Sequence, residues 1–322
     1  MRYQTLQSMI GVLALSILWL SGCQKSQNTS TKAKEANAQA DKKESEKNPT
    51  KLVFSFQKQK DPKKVKETAE LVSKKLSKDL GLPVEVMIPS SYGASVQALV
   101  SNHAQVAYMS SIPFLLAKSE APVRPLLVEE RADKTFYHSI FVVKKDSPYK
   151  TLHDLKNKRM MFTSPTSTSG YVMAYSRLVD EKILAPQQSP KDFFSEVRFA
   201  GGYDRALLSV LNGQADACAV SDYTMVGKKA DIYLSEEQRD QLRILTRTPG
   251  VPTHLIAIRD DLPAQLQSKL KSALLKISQE RPELLADVYG AAKFVEVNED
   301  IHLKGAVNAL ANTGLDKKKL VK

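Results

Sequence analysis

Cysteine is nearly absent: the 322-residue chain holds only Cys23 and Cys218. If Cys23 is modified, Cys218 has no partner and the folded body carries no internal disulfide. Cys218 lies in the apolar run Ala215 to Val220 and reads as a small buried hydrophobe. Enzyme signatures are missing as well. There is no G-x-S-x-G nucleophile elbow, no H-E-x-x-H pair and no P-loop. The histidines (His103, His138, His153, His254 and His302) stand singly, as surface or hydrogen-bonded residues do and metal sites do not. The chain is therefore read as no enzyme, with no cofactor. Residues 24–50 contain no aromatic and no β-branched aliphatic side chain, so they cannot bury a core and are expected to form a disordered tether.

Acid is in deficit, with a formal net charge of +12. Lysines such as Lys63, Lys66, Lys74, Lys75 and Lys78 recur at the spacing of a solvated helix face. No basic stripe is interleaved with aromatics, as single-strand binders require, so nucleic acid is excluded as a partner. A general positive field would still steer an anionic ligand.

Residues 1–22 read as a signal peptide, with Arg2 followed by an apolar run from Met9 to Leu20. That run is shorter than the roughly 20 residues of a spanning helix. It ends in Leu20-Ser21-Gly22-Cys23, a bacterial lipobox at which Cys23 would be lipidated. The expected location is extracytoplasmic, with the lipid holding the chain to a bacterial membrane. The remainder, with 42% hydrophobic residues in the whole chain, is long enough for two α/β lobes.

Leu52 to Phe56 predicts a first strand, and Asp61-Pro62 opens a helix ending at Gly81. Val65, Ala69, Leu71, Val72, Leu76 and Leu80 are expected to supply its buried face. Pro83 to Pro89 is a second strand, giving the strand, helix, strand unit of a parallel sheet. Ser90 to Ser95 leads into a helix over Val96 to Asn102, then a strand at Ala104 to Tyr108, the turn Met109-Ser110-Ser111 and a helix from Pro113 to Lys118. A β-type run covers Phe136 to Lys145. Beyond it come a strand at Arg159 to Phe162, a helix at Val172 to Glu181, a strand at Val197 to Ala200, a helix at Arg205 to Asn212 and a strand around Cys218. Thr248 to Arg259 is β-like; helices follow at Ala264 to Gln279, Pro282 to Tyr289 and Ile301 to Thr313. Phe136 to Lys145 and Thr248 to Arg259 are taken as two crossings of a hinge. Lobe 1 is thus expected over residues 51–143 plus 250–322, and lobe 2 over 144–249.

The most telling segment is Ser164-Pro165-Thr166-Ser167-Thr168-Ser169-Gly170-Tyr171, between a strand and a helix. The first N–H groups of a helix have no internal partner and carry partial positive charge, so with short hydroxyl side chains they suit a phosphate-like anion. One capping oxygen suffices for a helix. Four consecutive hydroxyls exceed that need and point to a ligand.

In order and spacing, Gly81-Leu82-Pro83-Val84 into Tyr92, Ala104 to Ser110, Lys145-Asp146-Ser147 with Leu152, Asp154 and Leu155, Ser164 to Gly170, and Leu211 to Ala217 resemble one family. It is the solute-binding proteins of phosphonate, phosphite and phosphate ABC transporters. The resemblance spans about Leu52 to Gly314 and implies an α/β type II periplasmic-binding-protein fold, two-lobed, each lobe a mostly parallel sheet flanked by helices. It implies that Ser167, Thr168 and Ser169 hold the oxyanion, with Tyr92 opposite, Tyr137 near the hinge and Ser110 from the first lobe. Where the family often has His before Asp in the second-lobe turn, Tyr203 precedes Asp204. Members that bind aminoalkylphosphonates use carboxylates for the amine; Pro249-Gly250-Val251-Pro252 supplies none, leaving Asp222 as the nearby acid. Phosphate, phosphite or a small alkylphosphonate fits that composition. The implied partners are a small oxyanion and ABC permease subunits, with the protein itself a monomer. Presentation of a ligand to a sensor, or binding of a sulfonate, are the alternatives.

Overall fold

The computed structural model describes residues 49–57, 62–227, 230–290, 293–296, 298–317 and 320. The expected signal peptide, Cys23, Asp61 and nearly all of the expected tether lie outside the described residues.

The first lobe is built on β1 (Leu52–Phe56), β2 (Val84–Met87), β3 (Val106–Met109), β4 (Val123–Glu130), β10 (Leu255–Arg259) and β11 (Lys293–Val295). Their order is β11-β4-β10-β3-β1-β2. β1 pairs in parallel with β2 and β3, while β10 runs antiparallel between β3 and β4, and β11 antiparallel to β4. β1 to β4 therefore all point one way. Helices α1 (Pro62–Leu80), α2 (Tyr92–Val100) and α3 (Ser111–Lys118) connect these strands.

In α1, Val65, Ala69, Val72, Leu76 and Leu80 are buried, as their recurrence at three- and four-residue steps requires. Leu71 was expected among them but is 55% exposed. One residue before Val72, it sits about 100° around the helix, off the stripe. Lys66, Lys74 and Lys78 are exposed and form the solvated face expected of them.

β4 and β11 are absent from the sequence reading. Pro125 interrupts β4 and cannot donate to a ladder; β10 shifts register there, from Ile256 opposite Leu127 to Ala257 opposite Pro125. A bulge is the usual way a sheet admits proline.

The second lobe has β5 (Phe136–Lys144), β6 (Arg159–Phe162), β7 (Glu196–Phe199), β8 (Ala217–Ser221) and β9 (Leu242–Pro252) in the order β7-β6-β8-β5-β9. β6 pairs in parallel with β7 and β8, and β5 lies antiparallel between β8 and β9. Four of its five strands thus share a direction. Along β5, Ile140 and Val142 join one core while Phe141 and Val143 join another, so both faces are covered, as a mainly parallel sheet requires. The covering helices are α4 (Met173–Asp180), α5 (Tyr203–Leu211) and the short α6 (Glu236–Arg239); α7 (Ala264–Glu280), α8 (Pro282–Tyr289) and α9 (Glu299–Thr313) complete the chain.

The crossings are shorter than the sequence suggests. Phe136 to Lys144 belongs wholly to the second sheet, as does the chain through Pro252, because long pairing of β5 with β9 holds both there. By sheet membership the chain passes between lobes at residues 131–135 and again at Thr253-His254. α9, expected with lobe 1, packs on α4 and β9 as well as on α3.

Candidate ligand-binding site

Several strands that point toward the cleft are followed by polar residues there. Gln57 follows β1, Ser110 follows β3, Ser164 to Ser169 follow β6, and Gly202 and Tyr203 follow β7. Ser221 and Tyr223 mark the end of β8, and His254 follows β9. The antiparallel β5 begins at this same end and contributes Tyr137 and Ser139. A crevice outside the carboxyl ends of parallel strands is where such sheets bind ligands.

The loop after β6 is tightly built. Thr168 to Val172 forms a wide π-turn leading into α4, closed by Val172 N–H donating to Ser167 O at 3.1 Å. Ser167 Oγ accepts from Gly170 N–H at 3.0 Å. Thr168 Oγ1 accepts from Ile112 N–H of α3 at 2.9 Å, a bond across the two lobes. In both residues the hydroxyl proton stays available to donate, because a hydroxyl has one donor beside two acceptor lone pairs. Gly170 is required here: a Cβ would stand 2.1 Å from Thr163 Oγ1 and 2.8 Å from Ser167 Oγ. Ser169 Oγ lies 2.8 Å from Tyr203 Oη and 2.7 Å from Ser221 Oγ, and Ser139 Oγ donates to Ser169 O at 2.6 Å. Ser167, Thr168 and Ser169 are all buried.

Tyrosines enclose the other side. α2 begins at Tyr92, earlier than the expected Val96, since Ser91 caps it by accepting from Ala94 N–H at 3.1 Å. That places Tyr92 in a first helical turn, within electrostatic reach of Tyr137, Tyr203 and Tyr233. Tyr137 and Tyr223 rings are 5.2 Å apart, and Tyr203 meets Tyr223 and Tyr233 edge-on at 6.1 and 6.2 Å. The hydroxyls of Tyr92, Tyr137 and Tyr223 are buried without a hydrogen-bond partner. Gln57 lies close to the first and Ser169 close to the second, yet neither reaches hydrogen-bond geometry. Burial above all, and then neighbouring tyrosines, push all three phenols well above their ordinary pKa. At neutral pH they are O–H donors, and a buried donor left unpaired costs about 1–3 kcal/mol. Three together are what an anion would satisfy.

The hinge lies beneath. Glu129, fully buried at the end of β4, accepts from Arg131 Nε and Nη2, each at 3.0 Å, and from Tyr108 Oη. His254 Nδ1 is 3.4 Å from its other side. Burial alone would raise the Glu129 carboxyl, but the Arg131 guanidinium and His254 hold it at about 2. It is an ionised acid already spoken for.

Of the residues named from sequence, Tyr92, Tyr137, Ser167, Thr168, Ser169 and Tyr203 converge. Ser110 stands at their edge, its Oγ 3.3 Å from Gln57 Nε2 and two residues from the Ile112 amide. Asp222 adjoins Tyr223 in sequence, but its carboxylate is 3.4 Å from Nη1 of the half-exposed Arg247. Tyr223, Ser139, Ser221, Gln57, Glu129 and Arg131 were not named. Ser221 and Tyr223 follow a strand just as Ser164 does, and asking what ends each strand would have found them. Glu129 and Arg131 sit in a stretch with no assigned element.

The family model for phosphonate ABC transporter periplasmic substrate-binding proteins matches residues 54–301. The chain belongs to that family. Its members are transporter binding components and not enzymes, in agreement with the missing catalytic motifs. At 26% identity over 205 residues, the chain is similar to the phosphate-import protein PhnD of Mycolicibacterium smegmatis, covering 62% of this chain and 63% of that one. It is 25% identical over 201 residues to the phosphonates-binding periplasmic protein of Escherichia coli, covering 61% and 56% respectively. Both matches thus span under two thirds of the relative's length. The solved structure of PhnD1 from Prochlorococcus marinus, in complex with methylphosphonate, aligns with a TM-score of 0.71 at 21% identity over 82% of this chain and 98% of that one. At such identity the likeness speaks for the fold, a two-lobed type II periplasmic-binding-protein fold.

Proposed function

We propose that this family member captures a small phosphorus oxyanion lacking an amine, such as phosphite, phosphate or an alkylphosphonate, and delivers it to an ABC importer. Tyr92, Tyr137, Ser167, Thr168, Ser169 and Tyr203 form the binding set, with Ser110 at its edge. The observation that carries the reading is the cluster of three buried, unpaired tyrosine hydroxyls, of which that of Tyr137 lies close to Ser169 of the Ser-Thr-Ser turn. Hydrogen bonds to a charged group contribute about 1.5–3 kcal/mol each. Micromolar affinity needs only about 8 kcal/mol net, so several such donors can offset desolvation and lobe closure.

The acids support the exclusion of an amine. Asp222 is engaged by Arg247 and Glu129 by Arg131 and Tyr108. An ammonium in this site would meet hydroxyl dipoles in place of a carboxylate. Lipidation at Cys23 would hold the body near its permease, and the net charge of +12 would favour anion encounter.

A thermal-shift screen of phosphate, phosphite, methylphosphonate, 2-aminoethylphosphonate, sulfate and taurine tests the reading. Phosphite or methylphosphonate should raise Tm well beyond 2-aminoethylphosphonate. Stabilisation by taurine or sulfate alone, or by none of the six, would overturn it.

A further inference from the structure

The charge pair at the hinge, a fully buried Glu129 and a largely buried Arg131, is an expensive feature. Replacing such a pair by apolar groups of equal volume is often neutral or stabilising, so its presence suggests a task other than stability. Its geometry indicates which. Arg131 is the first residue after β4, at the start of the first crossing. Its fork is held along two edges: Nε and Nη2 by Glu129, and Nη1 by Gly290 O at 2.9 Å. The flat face of the guanidinium is left to lie over the ring of Tyr223 in the second lobe, with Cζ 4.5 Å from the centroid.

The two crossings are tied to the same unit. Thr253 Oγ1, on the second crossing, is 2.6 Å from Glu129 O and 3.0 Å from Thr135 O. His254 stacks between Tyr108 and Tyr137, at ring distances of 5.2 and 5.9 Å. The carboxylate end of the pair thus faces Tyr108 of lobe 1, and the cationic end faces the tyrosines of lobe 2.

We infer that Tyr223 is a further ligand-binding residue, and that Arg131, locked by Glu129, is the positioning residue that seats the Tyr223 ring as the lobes close. This rests on the proposed capture of an oxyanion between the lobes. Tyr223 has the third unpaired buried hydroxyl, beside Tyr137. Fixing its ring from the crossing links the hinge to the donor geometry of the site. Arg131 brings its charge within one aromatic ring of the bound anion without contacting it, which favours an anion while leaving direct contact to neutral donors. In agreement, Arg131 works against the burial and neighbouring tyrosines that raise the Tyr223 phenol.

The test is a double-substitution cycle on the full folded body, read by calorimetric titration with methylphosphonate and by Tm without ligand. Tyr223→Phe should weaken binding roughly tenfold or more, the loss of one donor to a charged group, with Tm unchanged or raised. Arg131→Lys keeps the charge but cannot present the planar, doubly held face, and should also weaken binding. Made in the Tyr223→Phe background, however, it should cost far less than it does alone. Native-like affinity of Tyr223→Phe, or fully additive losses, would overturn the inference even if Ser167→Ala weakens binding as the proposed function requires. If the unsubstituted protein binds no phosphorus oxyanion, the functional reading itself fails and this inference with it.

Discussion

Thr168 sits where ligand binding and lobe closure meet, and Thr168→Val separates the two. Its Oγ1 accepts from Ile112 N–H across the lobes at 2.9 Å, while its proton remains free for an oxyanion. Valine keeps the shape and the β-branch but removes the hydroxyl. In the closed protein Ile112 N–H then loses its partner in a buried setting, at about 1–3 kcal/mol, and the ligand loses a donor worth about 1.5–3 kcal/mol. Together these amount to roughly two to four powers of ten in affinity, at 1.4 kcal/mol per factor of ten. Ser167→Ala, which also frees only an intra-loop amide, should lose less. Thr168→Ser retains the hydroxyl and should bind nearly as the native chain does. Calorimetric titration with methylphosphonate measures all three, and small-angle scattering follows closure. The reasoning is refuted if Thr168→Val loses under tenfold, or if Thr168→Ser loses as much.

Two further outcomes follow from the same geometry. Glu129→Gln leaves the largely buried Arg131 without its counter-charge and should lower stability at pH 7 by about 3–5 kcal/mol. The native carboxyl titrates at about 2 against an ordinary 4.5, so its contribution of about 3 kcal/mol is fully present above the ordinary value and lost as pH falls toward 2. The Tm gap between native protein and Glu129→Gln, followed by calorimetry from pH 7 to 2, should therefore narrow below about pH 4.5; a gap independent of pH would contradict the assignment. Gly170→Ala places a methyl 2.1 Å from Thr163 Oγ1, so the loop must shift. Overpacking of this kind costs about 1–3 kcal/mol, and both Tm and affinity should drop; retention of both would show that the loop is not tightly built.

Much of this arrangement can be read from the residues alone, because it depends on local periodicity. The stripe Val65, Ala69, Val72, Leu76 marks α1, and Gly81, at φ +72°, marks its end as only glycine does readily. Ser167 to Ser169 stand out by composition, before any knowledge of what lies across from them. What is not legible is long-range. Pro125 and the pair Glu129-Glu130 disguise β4, since proline breaks the ladder and consecutive acids suggest solvent. The first crossing is misplaced by several residues and the second is drawn too long, because the β-type runs from Phe136 and up to Arg259 carry no mark where one sheet ends. Glu129 becomes a buried ion only because β3 brings Tyr108 and the second crossing brings His254 to it. Tyr223 resembles any loop aromatic until Tyr137 and Arg131 are seen on either side.

The most direct measurement is a crystal structure of the body grown with methylphosphonate. Three phosphonate oxygens should lie between the lobes, within about 3 Å of the hydroxyls of Tyr92, Tyr137, Ser167, Thr168 and Ser169. The Thr168 to Ile112 bond should remain in place. A phosphonate bound elsewhere, or one in the cleft with the hydroxyls of Tyr92 and Tyr137 turned to protein partners, would contradict the account.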